Sequence, residues 1–466
     1  MFNRSYEKTE AAVARAGKEG VGNNLRGYKE MADFVASLER PRRVVILVQA
    51  GAPVDQTIEN LCKFMEPGDI IVDGGNEWFE NTERRAKLVQ DKGLLYVGMG
   101  VSGGEEGARN GPSLMPGGSP EAFKALEPII SKVAAQVDDG ACTMYVGPGG
   151  SGNFVKMVHN GIEYGDMQLI SEAYDVLRTL GGFTNAELAD TFKRWNEGAL
   201  QSYLVEITSI ILAKQDDAEG AKPGEALVDR IVDKTGAKGT GKWTVQRAAE
   251  LSVPAPTIAA SLDGRYISAL KSERVAAASF YEPLGLKAPT TATDVDKAAL
   301  AEDVRKALYC AKVCSYAQGM NIIRQQSESS GWNVDLGGLA RIWKGGCIIR
   351  AAFLDRIKQA YRRDKDLPNL LVDAEFAREL ADQQESWRRV VGLAVARGVS
   401  VAGMSSSLAY FDAYRRARLP ANLVQAQRDF FGSHTYERDD REGWHHTVWD
   451  ARYGSADSIT TKAYQA

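Results

Sequence analysis

The stretch GSGNFVKMVHNGIEYGDMQ, residues 150–168, places an amine, an imidazole, an amide, a carboxyl and a phenol within nine positions. Counting from Lys156, the residues His159, Asn160, Glu163 and Tyr164 follow at three, four, seven and eight, which is one face of an α-helix. Val155, Val158, Ile162 and Leu169 form an apolar face beside it. An amine and a carboxyl two turns apart can divide proton removal from proton return, provided the surroundings bring the amine toward neutrality. Charged helix faces are usually solvated. His, Asn and Tyr are nevertheless poor choices for free surface, and the chain holds four His in 466 residues.

The elements around this helix must present it to a ligand. Upstream, RRVVILVQAG (42–51), DIIVDGGN (69–76), LLYVGMGVSGG (94–104) and CTMYVGP (142–148) read as four buried strands. Helical spacing follows the first at 54–65, the second at ENTERRAKLVQDKG, and fills 121–137. Short strands alternating with helices imply βαβ units and a mostly parallel sheet, whose ligands bind beyond the carboxyl ends of the strands. Those ends carry Gln49-Ala50-Gly51, Gly74-Gly75-Asn76 and Ser102-Gly103-Gly104, which describes a crevice. Past Gly152 the strand signals stop, and apolar-periodic stretches fill 153–181, 186–213, 244–275, 296–327, 336–362, 374–397 and 403–418. The expected fold is therefore an α/β domain over 1–150, a large all-α domain over 151–435, and a polar C-terminal tail over 436–466.

Composition narrows the partners. With 57 Lys plus Arg against 61 Asp plus Glu, the net charge of -4 speaks against general nucleic-acid affinity but leaves room for a local basic pocket. No apolar run reaches the roughly 18 residues needed to span a membrane. The five Cys are scattered without a CxxC, as expected of a reducing, cytoplasmic compartment, and Cys310 and Cys314 read as packed thiols. Neither GTGK (239–242) nor GPGGSG (147–152) has the spacing of a phosphate-binding glycine loop. No cluster suggests a metal.

Taken in order, VDQTI, IIVDGGNEW, NTERR, GVSGGEEGAR, GPSLMPGG, FVKMVHNGIEYGDMQ, KGTGKWT, GCIIRA and LPANLVQAQRDFFGSHTY resemble the 6-phosphogluconate dehydrogenase family nearly end to end. The resemblance implies oxidative decarboxylation of 6-phospho-D-gluconate to D-ribulose 5-phosphate and carbon dioxide, with NADP reduced, as in the pentose phosphate pathway. By the same resemblance the first domain is Rossmann-like. Lys156 would be the general base and Glu163 the acid. Asn76, Ser102, Gly103, Gly104, His159 and Asn160 would hold the carboxylate and hydroxyls. Tyr164, Lys238, Arg265 and Arg428 would surround the phosphate, with His434 completing the site. In the family Arg428 and His434 come from the neighbouring subunit, so a homodimer is implied. Asn3, Arg4 and Ser5 would meet the adenosine 2′-phosphate of NADP, and Val48, Gln49, Ala50 and Asn76 would lie along the cofactor.

Three features depart from the family pattern. Gln49 stands where a Lys is usual, Asn153 where a His is usual, and Ser5 where a Thr is usual. The GxGxxG turn expected after a first strand is also absent, so the sequence is expected to begin near the end of the second strand, short of roughly 30 residues of βαβ unit. That gap motivates a second reading, a cofactor-deficient relative that binds 6-phosphogluconate without turnover.

Overall fold

β-Branched and aromatic side chains are stiff and favour the pleated conformation, and three runs of them pair side by side in the computed structural model. It describes residues 1–222, 224–450, 452 and 458–464. The sheet has the order β1 (Arg43–Ile46), β2 (Ile70–Asp73), β3 (Leu95–Ser102) and β4 (Ser113–Gly118). The first three strands are parallel, with Val44 opposite Ile71 and Ile71 opposite Tyr96, whereas β4 runs antiparallel to β3. Helices α1 (Tyr6–Lys18) and α2 (Met31–Ala36) precede the sheet, and α3 (Ala52–Leu61) and α4 (Phe79–Gln90) cross between its parallel strands. The short α5 (Gly104–Asn110) lies between β3 and β4, and α6 (Pro120–Val133) follows β4.

Successive strand residues point to opposite faces, so Ile71 joins a core with Val44, Ile46, Val54 and Ile58, while Ile70 and Val72 join another with Val97, Leu114 and Leu126. Both faces are thus covered, as a parallel sheet requires. Strand β1 has a neighbour on one side only among the described residues, and beyond it Leu47 is 72% exposed.

Two strand expectations need correction. Residues 142–148 form no strand. After the small hairpin of β5 (Gln136–Val137) and β6 (Gly140–Ala141), they pair with β4 through isolated bridges at Leu114–Thr143 and Gly117–Gly147, and Tyr145 Oη donates to the Gly118 carbonyl. Pro148 has no N–H to continue a ladder. The fourth strand is instead Ser113–Gly118, whose Pro and paired Gly conceal it in the sequence.

The helical part holds α7 (Ser151–Asp175), α8 (Asn185–Trp195), α9 (Tyr203–Ala213), α10 (Thr240–Glu250), α11 (Pro256–Ala269), α12 (Lys271–Tyr281), α13 (Lys297–Ser330), α14 (Leu336–Ile342), α15 (Phe353–Arg363), α16 (Ala374–Ala396) and α17 (Ala402–Tyr414). Several expected long helices are divided at capping residues. Ser202 caps α9 by accepting from Val205 N–H, and Pro256 opens α11 at its first position. Helices α7 and α13 lie together at the centre, where Gly165 faces Ser315 and Gly319 faces Ile162. Asp166 and Lys312 make a wholly buried ion pair across that contact.

The chain divides into two compact units, Met1–Leu408 and Ala409–Ala466. The second contains α18 (Ala421–Gly432), which the periodicity did not reveal, and an antiparallel sheet of β7 (Tyr436–Glu437), β8 (Trp444–His446) and β9 (Ile459–Thr461). Asp429 organises this unit by accepting from His446 Nδ1, Thr447 N–H and Trp449 Nε1.

Candidate active site

Helix α7 runs from the sheet into the helical body, and its polar face is not solvated. Lys156 is 6% exposed, His159 0% and Asn160 9%, with Tyr164 also buried and Glu163 partly so. Burial disfavours an ammonium and lowers the Lys156 pKa to about 8, although Glu163 and Cys347 pull the other way. Burial likewise raises the Glu163 pKa, against the opposing pull of Lys156, Arg265 and Lys238. An amine and a carboxyl whose pKa values approach each other can exchange proton roles near neutrality.

The end of β3 reaches this face. Ser102 Oγ lies 3.1 Å from His159 Nε2, and His159 Nδ1 lies 3.1 Å from Asn160 Oδ1. Asn160 Nδ2 donates to Thr240 Oγ1 at 3.3 Å, which leaves Oδ1 to accept from the imidazole. His159 therefore carries its proton on Nδ1 and accepts from the Ser102 hydroxyl at Nε2. Burial first, and Lys156 second, hold its pKa well below the usual value, so it stays neutral. Trp343 meets the imidazole edge to face at 5.6 Å. Gly103 adopts φ +125°, and a Cβ there would lie 2.6 Å from the Gly346 carbonyl, so this turn admits only glycine.

The ends of β1 and β2 are pinned by a buried cluster that the sequence reading missed. Arg85 donates to Glu77 at 2.5 Å, to Asp55 at 2.9 Å and to the Gly51 carbonyl at 2.9 Å. Glu77 also accepts from Gly51 N–H and from Trp78 N–H. The exposed Val48 and Gln49, the half-buried Ala50 and the exposed Asn76 thus flank a fixed frame. Its only sequence signal was the adjacency of GGNEW and NTERR, whose charges look like ordinary helix surface. Asn153, in place of the usual His, accepts from Thr82 Oγ1 at 3.0 Å and donates to the Gly75 carbonyl at 3.2 Å, so it anchors the residue before Asn76.

Farther along α7, the Arg265 guanidinium stacks on the Tyr164 ring at 3.4 Å and donates to the Gly236 carbonyl. Tyr164 and Arg265 line a groove of about 540 Å³. Lys238 stands in the loop after Gly236. Arg428 and His434 belong to the second unit. There Arg428 donates to Tyr464 Oη at 2.7 Å, and the His434 and Thr435 carbonyls accept from Gln425.

At the N-terminus Asn3 Oδ1 accepts from Ser5 N–H, and Ser5 leads into α1. Arg4 shares a pocket of about 430 Å³ with Lys29, Lys63, Phe2 and Tyr6. Three cations beside aromatic rings fit a nucleotide phosphate with its base. Lys29 and Lys63 lie far from Arg4 in the chain, and no spacing announced them.

Comparison with known proteins agrees with this layout. Residues 1–147 match the NAD binding domain of 6-phosphogluconate dehydrogenase, and residues 152–449 match the 6-phosphogluconate dehydrogenase C-terminal domain. A decarboxylating 6-phosphogluconate dehydrogenase 1, chloroplastic, of Arabidopsis thaliana is 62% identical over 96% of this chain and 92% of its own length. The decarboxylating 6-phosphogluconate dehydrogenase of Synechococcus elongatus is 53% identical over 96% of this chain and 93% of its own. A solved Plasmodium falciparum 6-phosphogluconate dehydrogenase, studied in its apo form, with NADP+ and with 6-phosphogluconate, superposes with a TM-score of 0.90. It is 48% identical and covers 96% of this chain and 94% of its own.

Proposed function

This chain belongs to the 6-phosphogluconate dehydrogenase family, and from that premise we propose how its residues share the oxidative decarboxylation of 6-phospho-D-gluconate. The protein is an NADP-dependent enzyme that yields ribulose 5-phosphate and carbon dioxide. Bound NADP supplies the hydride acceptor. Neutral Lys156 takes the C3 hydroxyl proton as C3 is oxidised, and the resulting 3-keto acid is set to lose its carboxylate. The Lys156 ammonium returns its proton to the carbonyl oxygen as the C1–C2 bond breaks, leaving an enediol. Glu163 then protonates C1 of the enediol, the former C2 of the substrate, while Lys156, neutral again, takes the hydroxyl proton from the adjacent carbon, and the enediol becomes the ketose. Ser102, Gly103, Gly104, Asn76, His159 and Asn160 hold the carboxylate and hydroxyls. Tyr164, Lys238 and Arg265 take the phosphate, a division that suits a fork of Arg donors beside an amine.

The observation that carries this reading is the buried Lys156–Glu163 pair with converging pKa values on one face of α7. One proton shared by the pair gives kcat/KM a bell-shaped pH profile. At pH below the raised Glu163 pKa both groups are protonated and no base remains. Above the Lys156 pKa of about 8 both are deprotonated and no acid remains. In Glu163→Gln the alkaline fall should disappear, because activity then follows neutral Lys156 alone. A wild-type profile flat from about pH 6 to pH 9 would contradict the pairing. The direct test of the function is formation of NADPH and carbon dioxide from 6-phosphogluconate, and binding without turnover would favour the cofactor-deficient reading.

Arg4, with Asn3 and Ser5, selects NADP through the 2′-phosphate, while Val48, Gln49, Ala50 and Asn76 border the cofactor. Arg4→Ala should reduce the kcat/KM preference for NADP over NAD by about 10²-fold and weaken calorimetric binding of 2′,5′-ADP, with 5′-AMP unaffected. Equal losses for both nucleotides would remove Arg4 from this role. The working form is a homodimer in which Arg428 and His434 complete the neighbour's site and the tail reaches across. Exposed apolar residues such as Phe280, Tyr281 and Phe431 favour such burial. The five free cysteines suit a reducing, cytoplasmic setting. No helix among the described residues is long and apolar enough to cross a membrane.

A further inference from the structure

The loop of residues 231–239 has no regular structure and includes Gly236 and Gly239, yet it must hold Lys238 at a defined place. Most of its anchors converge on one side chain, Arg274, with Lys271 adding a second ion pair to Asp233 at 2.5 Å. Arg274, in the first turn of α12, donates from Nη1 to Asp233 Oδ2 at 3.0 Å and from Nη2 to the Asp233 carbonyl at 3.0 Å. The same guanidinium donates from Nε to the Ile267 carbonyl and from Nη2 to the Ser268 carbonyl, each at 3.1 Å. Those carbonyls belong to the last turn of α11, which stops at Ala269 because Leu270 leaves the helical conformation (ψ 39°). Arg274 therefore satisfies helix-end acceptors and grips the loop with a single planar group. Two further contacts continue the seam: Thr235 N–H donates to Ser268 Oγ at 3.1 Å, and Arg265 donates to the Gly236 carbonyl at 3.1 Å.

We propose that Arg274 is a positioning residue that sets the spacing between Lys238 on the loop and Arg265 on α11, and so tunes recognition of the substrate phosphate. This rests on the reading of Lys238 and Arg265 as phosphate ligands. Arg265 stacks on Tyr164, the residue after Glu163 on α7, and holds the carbonyl of Gly236, two residues before Lys238. Arg274 is one-third exposed and lies outside the packed core, so its replacement leaves the body of the fold standing. Lys cannot substitute fully, because an ammonium lacks the fork that reaches two segments at once.

In the full chain, Arg274→Ala should raise KM for 6-phosphogluconate about tenfold with kcat changed less than about twofold, and Arg274→Lys should recover only part of that loss. The Ki of inorganic phosphate as a competitive inhibitor should rise in parallel. Oxidation of gluconate, which has no phosphate, should keep its kcat/KM within about twofold. Adding Arg274→Ala to Lys238→Ala should cost little more than Lys238→Ala alone, because the two act through one contact. Tryptic cleavage after Lys234 or Lys238 should quicken by at least about tenfold in Arg274→Ala, as expected of a released loop. Equal losses for gluconate and 6-phosphogluconate, or an unchanged phosphate Ki, would overturn the proposal. If Lys238→Ala leaves KM unaltered, the phosphate role of Lys238 fails, whereas an unaltered tryptic rate shows that Arg274 does not hold the loop.

Discussion

Lys156→Met lowers kcat for 6-phosphogluconate by at least about 10³-fold, close to 4 kcal/mol of barrier, while substrate still binds. The size follows from two tasks resting on one amine, removal of the C3 proton and its return to the carbonyl oxygen. No neighbour can take over, because His159 is kept neutral and already accepts from Ser102. Methionine preserves the packing. The Lys156 stem lies against Gly100, where a Cβ would come within 2.5 Å, and an unbranched thioether fits that path. The comparison that isolates chemistry from binding is calorimetric affinity beside single-turnover NADPH formation. Glu163→Gln should bind equally well and fall by about 10²-fold, with incorporation of solvent tritium at C1 of the product as its particular readout. Retention of more than about a tenth of kcat in Lys156→Met would dismiss the amine as the base.

The second large effect concerns stability. Helix α7 meets the sheet without a gap: a Cβ on Gly152 would stand 2.2 Å from the Gly98 carbonyl oxygen, 2.3 Å from that of Met115 and 2.6 Å from the Gly117 nitrogen. All three are backbone atoms of β3 and β4, so no rotamer change relieves the overlap. Overpacked cores commonly lose 1–3 kcal/mol by shifting side chains. Here strands must move, and Gly152→Ala should cost at least about 3 kcal/mol in urea unfolding. Gly17→Ala in α1, with open space around its Cβ, should be neutral or up to about 1 kcal/mol stabilising. A Gly152 variant within about 1 kcal/mol of the parent would mean that the helix can back away from the sheet.

What the sequence disclosed depended on how local the cause was. The β1 to β3 alternation was legible because Val and Ile mark each strand and glycine closes it. Residues 142–148 carry an equally good strand pattern, but the ladder they needed is reduced to two bridges by neighbouring glycines and Pro148. Lys156, His159, Asn160, Glu163 and Tyr164 were found from helical spacing, yet their burial was not, because α10 and α13, which cover α7, lie more than 70 residues downstream. The Arg85–Glu77–Asp55 cluster escaped for the same reason: each member alone looks like a surface charge. The strands of the second unit have two or three residues, too few for any period to show.

One consequence of α7 reaches beyond chemistry. Its first turn is wedged into the sheet and its remaining turns are built into the helical body, with Asp166 and Lys312 riveting it to α13. A single rigid rod shared by two layers is a girder, and it denies them a hinge where they meet. Jaw-like closing of the sheet on the helices would have to break these contacts along α7. Adaptation to arriving molecules is left to the loops at its margins. Lys156 is held by both layers at once, so most of the cost of placing it is met during folding and not at each turnover.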